Sequence, residues 1–320
     1  MQKSDLPVHS INGTYKVIRE IGTGSFSDVF IGLDEQNKRE VAIKVEPLNS
    51  KTPSLMYEYD IYQSMKNSKT IPQIYYCGSI NHHVVMVMEL MGNSLYKLLQ
   101  LCGGKFSLYT TLTLATKMLK CVEDLHRHGY IHHDIKPENF LIRKDKPSEI
   151  CLIDFGLSQR YIDPSSGSHV GYTTGCPFVG NARFASINSL SGVSSSRRDD
   201  IESLLYIWIY FLRGDLPWID LGGSNPKENQ NLVLDYKQKV KPEKLFKDCP
   251  QEFYKIYFYI KQMRFNDPPN YKKIENYLQI AFKSAFPNIS NQAAPNYDWN
   301  NIPTAFNFSD LKEPSSVTPN

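Results

Sequence analysis

Short hydrophobic runs, broken by glycines and polar stretches, follow one another through the first ninety residues of the chain. Five of these runs are typical of β-strands: residues 15–21, 28–32, 40–45, 73–79 and 83–89. Residues 53–66 favour a single helix between the third and fourth runs. The pattern therefore predicts a small lobe built on an antiparallel meander with one helix.

Beyond Asn93 the hydrophobic residues change to helical spacing. They recur every three or four positions at Leu108, Leu112, Ala115, Leu119, Val122 and Leu125. Gly129 then ends the predicted helix, a loop-rich stretch covers 130–190, and further helices are expected to about residue 286. The chain after Asn93 is therefore predicted to be mainly helical.

The two patterns together predict an α+β fold with two lobes. A 320-residue chain with 41% hydrophobic residues can bury a core of that size. We expect a polar lead, a β-rich lobe, a connecting hinge, a helical lobe and a polar, disordered tail, at about 1–13, 14–89, 89–93, 94–300 and 301–320. A crevice between two such lobes is a natural place for a ligand.

Charge and composition narrow the class of partner. The 36 Lys and Arg residues nearly balance the 33 Asp and Glu residues, so the overall charge argues neither for nor against nucleic acid. We expect neither nucleic acid nor a membrane as a partner. The apolar run Ile201–Leu212 is shorter than the roughly 20 residues that span a bilayer, and it predicts a buried helix instead.

The N-terminus has no apolar run and so predicts no secretory signal. Six scattered cysteines without a CxxC pair favour a reduced, intracellular protein without structural zinc.

A glycine-rich stretch, Gly22-Thr-Gly-Ser-Phe-Ser27, joins the first two predicted strands. Glycines here let backbone N–H groups approach phosphate oxygens, although a tight hairpin would explain the pattern equally well. The stretch lacks the Gly-Lys-Ser/Thr ending of a P-loop and is not followed by a helix, which excludes a Rossmann motif. It becomes informative only together with the residues that follow.

Those residues supply charges in a fixed order. Lys44 ends the apolar run Val41-Ala-Ile-Lys44, and Glu58 on the predicted helix can reach it, so that the ammonium group is held against phosphates. A lysine at a strand edge that faces water is the alternative for Lys44 taken alone.

The segment Ile131-His-His-Asp-Ile-Lys-Pro-Glu-Asn139 carries most of the predicted chemistry. In it, Asp134 would orient or accept the proton of a substrate hydroxyl, Lys136 would neutralise the transferring phosphoryl group, and Asn139 would bind a metal. Asp154-Phe-Gly156 follows and supplies a carboxylate suited to Mg²⁺. An isolated Asp-Phe-Gly is most often only a turn, but the ordered set predicts phosphoryl transfer.

With these motifs in order, the chain resembles the eukaryotic protein kinases, and within them the casein kinase I family. The family marks are Ala185-Ser-Ile-Asn188, in place of the usual Ala-Pro-Glu, and Ser196-Arg-Arg-Asp-Asp-Ile-Glu-Ser203. Further similar stretches are Val87-Met-Glu-Leu-Met-Gly92, Leu216-Pro-Trp218, Arg264-Phe-Asn-Asp267 and Tyr297-Asp-Trp-Asn300. The resemblance covers about residues 14–300.

The resemblance implies a bilobal kinase fold that binds ATP and Mg²⁺ and phosphorylates serine or threonine in proteins. It assigns Asp134 as catalytic base, Lys44 as phosphate anchor, and Asn139 and Asp154 as metal ligands. Asp200 would brace the catalytic loop, and backbone groups near Glu89 and Met91 would hold the adenine. The implied nucleotide contacts are Ile21, Gly22, Thr23, Gly24, Ser25, Phe26, Ser27, Asp28, Val29, Ala42, Lys44, Glu89, Met91, Leu141 and Asp154.

Several positions depart from the family pattern. Ser27 replaces the third glycine of the loop, which predicts altered ATP affinity. Gln159 and Cys176 stand where the family usually has lysines, whereas Arg183 matches its anion-binding surface and the match of Lys227 is open. We therefore expect a weakened preference for acidic or phosphorylated substrates.

The residue before Asp134 is also unusual, because His133 replaces an arginine that normally pairs with an anion near the activation segment. The segment from Ser158 to Phe184 has hydroxyls at Ser165, Ser166, Ser168, Thr173 and Thr174. A mostly neutral imidazole would bind a phosphate there weakly. Activity without phosphorylation of this segment is therefore predicted.

Two other functions are weighed against an active kinase. A pseudokinase scaffold would explain Ser27 and His133, but the base and both metal ligands are present. A small-molecule phosphotransferase would not need Ala185-Ser-Ile-Asn188 or the Arg197-Arg-Asp-Asp200 helix start. We expect a monomer with protein substrates, located in the cytoplasm and with a nuclear pool left open.

Overall fold

The computed structural model describes residues 10–23, 27–50, 52–289 and 295–302. The chain divides into two compact units. The first unit contains the chain up to Asn93 together with Asn139–Ser158, and the second contains Ser94–Glu138 and the chain from Gln159 onward.

The first unit is built on an antiparallel sheet, which has six strands within the described residues. In the order β1-β2-β3-β4-β6-β5 its members are β1 (Ser10–Ile11), β2 (Tyr15–Thr23), β3 (Asp28–Asp34), β4 (Arg39–Pro47), β6 (His83–Glu89) and β5 (Ile74–Ile80). The five predicted strands are therefore present. Strand β1 lies in the stretch expected to be a polar lead, and it forms because Ile11, 1% exposed, packs into the core beside Tyr15.

One helix, α1 (Leu55–Ser64), packs on strands β5 and β6 of this sheet. Its N-terminus is fixed by the buried carboxylate of Glu46 on β4. That carboxylate accepts hydrogen bonds from the backbone N–H groups of Ser54, at 3.0 Å, and Leu55, at 2.9 Å. The first N–H groups of a helix lack partners within the helix and carry partial positive charge, so a carboxylate stabilises this end. Helix α1 is thereby held at a set position on β4.

The segment Asn139–Ser158 adds a second, three-stranded sheet to the first unit. It contains β7 (Met91–Ser94), β9 (Phe140–Arg143) and β10 (Ile150–Leu152) in the order β10-β9-β7. Arg143 anchors the segment by an ion pair with Glu89 and by donating a hydrogen bond to the carbonyl of Ile71 at 3.0 Å.

The second unit is mainly helical. Its helices are α2 (Leu95–Leu101), α3 (Leu108–Arg127), α4 (Ile187–Leu190), α5 (Arg197–Arg213), α6 (Pro226–Lys239), α7 (Pro242–Leu245), α8 (Gln251–Gln262) and α9 (Tyr271–Ala285). A two-stranded ribbon pairs β8 (Tyr130–Ile131) with β11 (Gln159–Arg160). The helical spacing of α3 is confirmed, and the predicted α+β fold class is confirmed as well.

Helix α5 is the centre of this unit. Its residues from Asp199 to Phe211 are all buried, and α3 and α8 pack against it. The carboxylate of Asp199 accepts the backbone N–H of Ser196 at 2.8 Å and so caps the start of the helix, while Gly214 ends it at a left-handed φ of 73°. No helix in the described part of the chain has the length and hydrophobicity needed to cross a bilayer.

Candidate active site

The first unit places Lys44 between two carboxylates. The Lys44 Nζ atom lies 2.7 Å from Glu58 Oε2 and 3.0 Å from Asp154 Oδ1. Burial alone would lower the pKa of Lys44, but the two carboxylates outweigh it and raise the pKa above its ordinary value. The group is therefore a cation throughout the physiological pH range, and one lysine links β4, α1 and the chain after β10.

The local sequence explains how these groups meet. Lys44 lies between the buried residues Ile43 and Val45 on β4, and its register partners are Val29 on β3 and Met86 on β6. Glu58 is in the first turn of α1, the end of the helix that Glu46 fixes. Because Glu46 is two residues from Lys44 on the same strand, one strand positions both the cation and the helix that carries its partner.

Asp154 has an unusual backbone conformation, with φ at +66°. Such a conformation is uncommon for residues other than glycine and is tolerated best by Asn and Asp. Phe155 anchors it from the next position, since its ring is fully buried and packs on Tyr62 with a centroid separation of 4.8 Å. The Asp154 side chain itself is 44% exposed. Its carboxylate is thus open to a ligand while its backbone is held.

Asn139 and Asp154 come from segments that are joined in the first unit. The backbone N–H of Ile153 donates to the carbonyl of Asn139 at 3.0 Å. Their amide and carboxylate oxygens are the ligands that Mg²⁺ prefers, and this ion commonly takes only one or two carboxylates plus phosphate oxygens and water. In the part of the chain that the structure describes, no cluster of three or more His, Cys, Asp or Glu side chains could hold a metal by itself. The residues therefore fit a magnesium ion that shares its ligands with a nucleotide.

The second unit contains Asp134 and Lys136, the predicted catalytic-loop residues. Asp134 is 6% exposed, and Lys136 Nζ lies 2.5 Å from its Oδ2 atom. The backbone N–H of Asp134 donates to Nδ1 of His132 at 3.2 Å. A carboxylate that is buried, oriented and paired with a cation can take a hydroxyl proton while the cation neutralises phosphoryl charge.

Asp200 at the start of α5 stabilises this loop by hydrogen bonds to its backbone. Its carboxylate accepts the backbone N–H groups of His132 at 2.7 Å and His133 at 3.2 Å. Burial would raise the pKa of Asp200, but hydrogen bonds from His126 and from this backbone hold the pKa below its ordinary value. Asp200 therefore remains ionised, and it contacts the main chain directly before Asp134.

Sequence reasoning missed two residues of this network, His126 and Tyr271. Nε2 of the buried His126 lies 2.9 Å from Asp200 Oδ2, and its Nδ1 lies 2.6 Å from the Tyr271 hydroxyl. Burial lowers the pKa of His126, so the ring is neutral. Its Nε2–H then donates to the carboxylate, and its Nδ1 accepts from Tyr271. A histidine within an apolar helix pattern gave no signal of this role.

His133 has a left-handed backbone conformation, with φ at +69°. Burial lowers the pKa of its imidazole, an effect that the Asp200 carboxylate and a hydrogen bond with Gln159 only partly offset. Gln159 lies on β11, and its side chain is exposed. The position at which the sequence resemblance implies an arginine therefore carries a side chain that is neutral near pH 7.

The chain at Gly180 passes directly over the catalytic loop. A Cβ atom at Gly180 would lie 2.5 Å from the carbonyl oxygen of His133 and 3.3 Å from Asp134 Oδ1, and φ there is +92°. Arg183 follows on the surface with an exposed side chain, and Cys176 is half-buried. Only a residue without a side chain fits at 180.

The remaining predicted nucleotide contacts have defined places in the first unit, except for Gly24, Ser25 and Phe26, which lie outside the described residues. On β2 and β3, Gly22 pairs with Val29 and Thr23 with Asp28. Their roles, like those of Ile21, Ser27, Ala42, Met91 and Leu141, stay predictions.

The hinge residue Glu89 can be specified further. Its carboxylate is occupied by Arg143, and its backbone N–H donates to the carbonyl of Gln73 at 2.8 Å. A nucleotide contact at this residue would therefore use the backbone carbonyl.

Comparison with known families agrees with this geometry. The family model described as a protein kinase domain matches residues 15–274 of the chain, which is about four fifths of its length. The match includes the strands around Lys44 and the helices that support Asp134.

Proposed function

Because the chain belongs to the protein kinase family, we propose that it is an active serine/threonine kinase of the casein kinase I type. It transfers the γ-phosphoryl group of ATP, with Mg²⁺, to hydroxyl groups of proteins. The observation that carries this proposal is the pairing of Lys44 with both Glu58 and Asp154. Pseudokinases usually lose one of these groups or the base, and this chain has all of them.

The first unit binds and orients the nucleotide in this proposal. Lys44, fixed as a cation by Glu58, attracts the phosphate oxygens, and Asn139 and Asp154 would hold the metal ion. When bound, Mg²⁺ neutralises charge on the phosphates. Asp154, which contacts Lys44 at 3.0 Å, would hold the metal ion with the same carboxylate that pairs with the phosphate anchor.

The second unit supplies the acceptor chemistry. Asp134 orients the serine or threonine hydroxyl and takes its proton as the oxygen forms a bond to the γ-phosphorus and the bond from that phosphorus to the bridging oxygen of ADP breaks. Lys136, 2.5 Å from the Asp134 carboxylate, neutralises charge that develops on the transferred group. A lysine two residues after the base also favours serine and threonine over tyrosine as acceptor.

The family mark Ala185-Ser-Ile-Asn188 supports the casein kinase I type. The Ser186 hydroxyl and the Asn188 amide both donate to Asp199 Oδ1, at 2.7 and 3.0 Å, and the backbone N–H of Ile187 donates to Glu202 at 3.2 Å. These carboxylates belong to the second mark, at the start of α5. The two marks therefore form one hydrogen-bonded unit.

A weakened preference for acidic substrates, and activity without phosphorylation of the segment from Ser158 to Phe184, are part of the same proposal. They are supported by the neutral His133 and by Gln159 and Cys176, which leave Arg183 as the matched cation. A demand for an acidic or phosphorylated residue upstream of the target, or loss of activity after phosphatase treatment, would contradict them. The monomeric state and the cytoplasmic location stay predictions.

The test against a pseudokinase scaffold uses Mg·ATP and casein. We expect wild type to phosphorylate casein, and Asp134→Asn to lose at least about a hundredfold in kcat, because the amide cannot take the hydroxyl proton. Lys146→Met, at an exposed lysine that pairs with Glu149, is the control and should retain activity. Equal rates for wild type and Asp134→Asn would remove Asp134 from its role, and no phosphorylation by wild type would favour the scaffold.

A further inference from the structure

Helix α6 carries a lysine that is buried without an ion-pair partner. Lys237 is 3% exposed, and among the described residues no Asp or Glu carboxylate lies within ion-pair distance of its Nζ atom. Instead, Nζ donates to three backbone carbonyls: Ala182 at 3.1 Å, Arg183 at 3.0 Å and Ala185 at 2.6 Å. Three acceptors match the three N–H groups of an ammonium ion, whereas a neutral amine has only two.

Aromatic rings complete the surroundings of this ammonium group. Its Nζ atom lies 4.5 Å from the ring centroid of Tyr206 and 4.8 Å from that of Trp218. Ring faces at such distances attract a cation, more strongly where water is excluded. Burial of a charge is costly unless such partners are present, and here three carbonyls and two rings supply them.

The carbonyl of Arg183 is held from a second direction. The indole N–H of Trp218 donates to it at 2.7 Å. The turn is closed by Asn181, whose side-chain oxygen accepts the backbone N–H of Arg183 at 2.9 Å and whose carbonyl accepts that of Ala185 at 3.0 Å. With its carbonyl and N–H both bound inside the protein, Arg183 presents its side chain to solvent.

The other end of this segment lies on the catalytic loop. Gly180 leaves no room for a Cβ atom above the His133 carbonyl and Asp134 Oδ1. We call residues 180–185 the acceptor segment. Only two residues of this hydrogen-bonded turn separate Gly180 from Arg183. A displacement of the segment therefore changes both the space above Asp134 and the direction of Arg183.

We propose that Lys237, together with Trp218, is a positioning residue that holds the acceptor segment over Asp134 and points Arg183 at anionic groups of the protein substrate. This deepens the proposed function and rests on it. Lys237 acts through the backbone carbonyls of Ala182, Arg183 and Ala185, to which its Nζ atom donates.

The kinetic test separates peptide from nucleotide. Lys237→Met keeps the length and apolar stem of the side chain but removes all three donors. We expect KM for a serine peptide with upstream aspartates to rise at least about fivefold, while KM for ATP stays within about twofold. Trp218→Phe removes only the indole N–H donor, so it should also raise the peptide KM, but by less than Lys237→Met. An unchanged peptide KM in Lys237→Met would overturn the proposal.

Two control variants test whether such a result is only a loss of stability. Lys239→Met makes the same substitution on the same helix at an exposed residue that pairs with Asp235, and it should behave as wild type. Phe253→Leu loosens the core of α8. If Phe253→Leu, at an equal fall in Tm, raised the peptide KM as much as Lys237→Met, general loosening would be the cause and the proposal would fail.

Hydrogen exchange provides a measurement that does not need activity. We expect the amides of residues 181–186 to exchange at least about tenfold faster in Lys237→Met than in wild type, with no change in Lys239→Met. If wild type phosphorylates no peptide, the proposed function is wrong, and exchange alone decides whether Lys237 holds the segment. Equal exchange in wild type and Lys237→Met would contradict the role of Lys237 whatever the activity.

Discussion

Two lysines, the largely buried Lys44 in the first unit and the fully buried Lys237 in the second, have surroundings of opposite charge. Lys44 lies between the carboxylates of Glu58 and Asp154, so the three side chains together carry one net negative charge. The Asp154 side chain is 44% exposed, so this cluster is open to solvent on one side. Lys237 is surrounded by carbonyls and rings and is closed on all sides. An open cluster with surplus negative charge suits a metal ion, whereas a closed cage of uncharged carbonyls and rings suits a fixed backbone.

The pKa values follow from this difference. Two carboxylates raise the pKa of Lys44 in spite of burial, whereas burial lowers the pKa of Lys237 well below its ordinary value, with only the more distant Glu202 opposing it. Burial alone therefore does not distinguish Lys44 from Lys237. The charge of the surrounding atoms distinguishes them.

The largest expected effect comes from removing the cation of the open cluster. Lys44→Met should lower kcat/KM on casein by roughly 10²–10³, the usual loss when one preorganised charge contact to a transition state is removed. The measurement is steady-state kinetics, with nucleotide binding by calorimetry. Lys144→Met, at an exposed lysine on the same unit, is the matched control. Wild-type kcat/KM in Lys44→Met would show that the cluster is not part of the active site.

A smaller effect is expected when one carboxylate of the open cluster is neutralised. Glu58→Gln makes the surroundings of Lys44 more like those of Lys237, because the net charge of the cluster changes from minus one to zero. A hydrogen bond to a charged group contributes about 1.5–3 kcal/mol, so kcat/KM should fall by roughly ten- to a hundredfold. Glu40→Gln, at an exposed glutamate, should leave kcat/KM unchanged. Equal losses in both variants would contradict a special role for Glu58.

The third prediction concerns pH. Since the pKa of Lys237 is lower in the folded chain than the unfolded value of 10.5, the unfolded chain binds more protons in the interval between the two pKa values. The contribution of Lys237 to the free energy of unfolding should therefore rise with pH in that interval, by at most about 1.4 kcal/mol per pH unit. The measurement is urea unfolding of wild type and Lys237→Met at several pH values below 10.5. A difference between the two that falls as pH rises would contradict the prediction.

Lys44 should show the opposite sign. Its folded pKa is raised, so its contribution is complete below pH 10.5 and is lost only above it.

The smallest effect is expected at the surface of α6. Lys239→Met removes an exposed pair with Asp235 and should change the free energy of unfolding by less than about 0.5 kcal/mol. Thermal unfolding in parallel with Lys237→Met checks this. A loss as large as that of Lys237→Met would mean that burial of Lys237 does not distinguish the two positions.

The sequence predicted the open cluster better than the closed one. Lys44, Glu58 and Asp154 stand in a fixed order with strand and helix patterns around them, and the structure brings the three side chains together. Lys237 lies on an amphipathic helix beside other lysines, where a charged residue normally faces water. Its partners are backbone carbonyls of a distant segment, and carbonyls are present at every residue, so no residue type marks them.

The fold, too, could be predicted from the sequence only in part. The five strands and the helix α3 followed from local spacing, because one face of each must be buried. Strand β1 did not, since only two residues pair and the single buried side chain of Ile11 decides it. The contact of Tyr271 with His126 likewise joins positions 145 residues apart, and a single sequence gives no sign of such a pair.

The tight fit at Gly180 makes this position sensitive to a single methyl group. Alanine here would collide with the carbonyl oxygen of His133 and would be strained at a φ of +92°, so the main chain beside Asp134 would have to move. Lys44, Glu58 and Asp154 belong to the other unit, so Gly180→Ala should separate a loss of phosphoryl transfer from a loss of nucleotide binding.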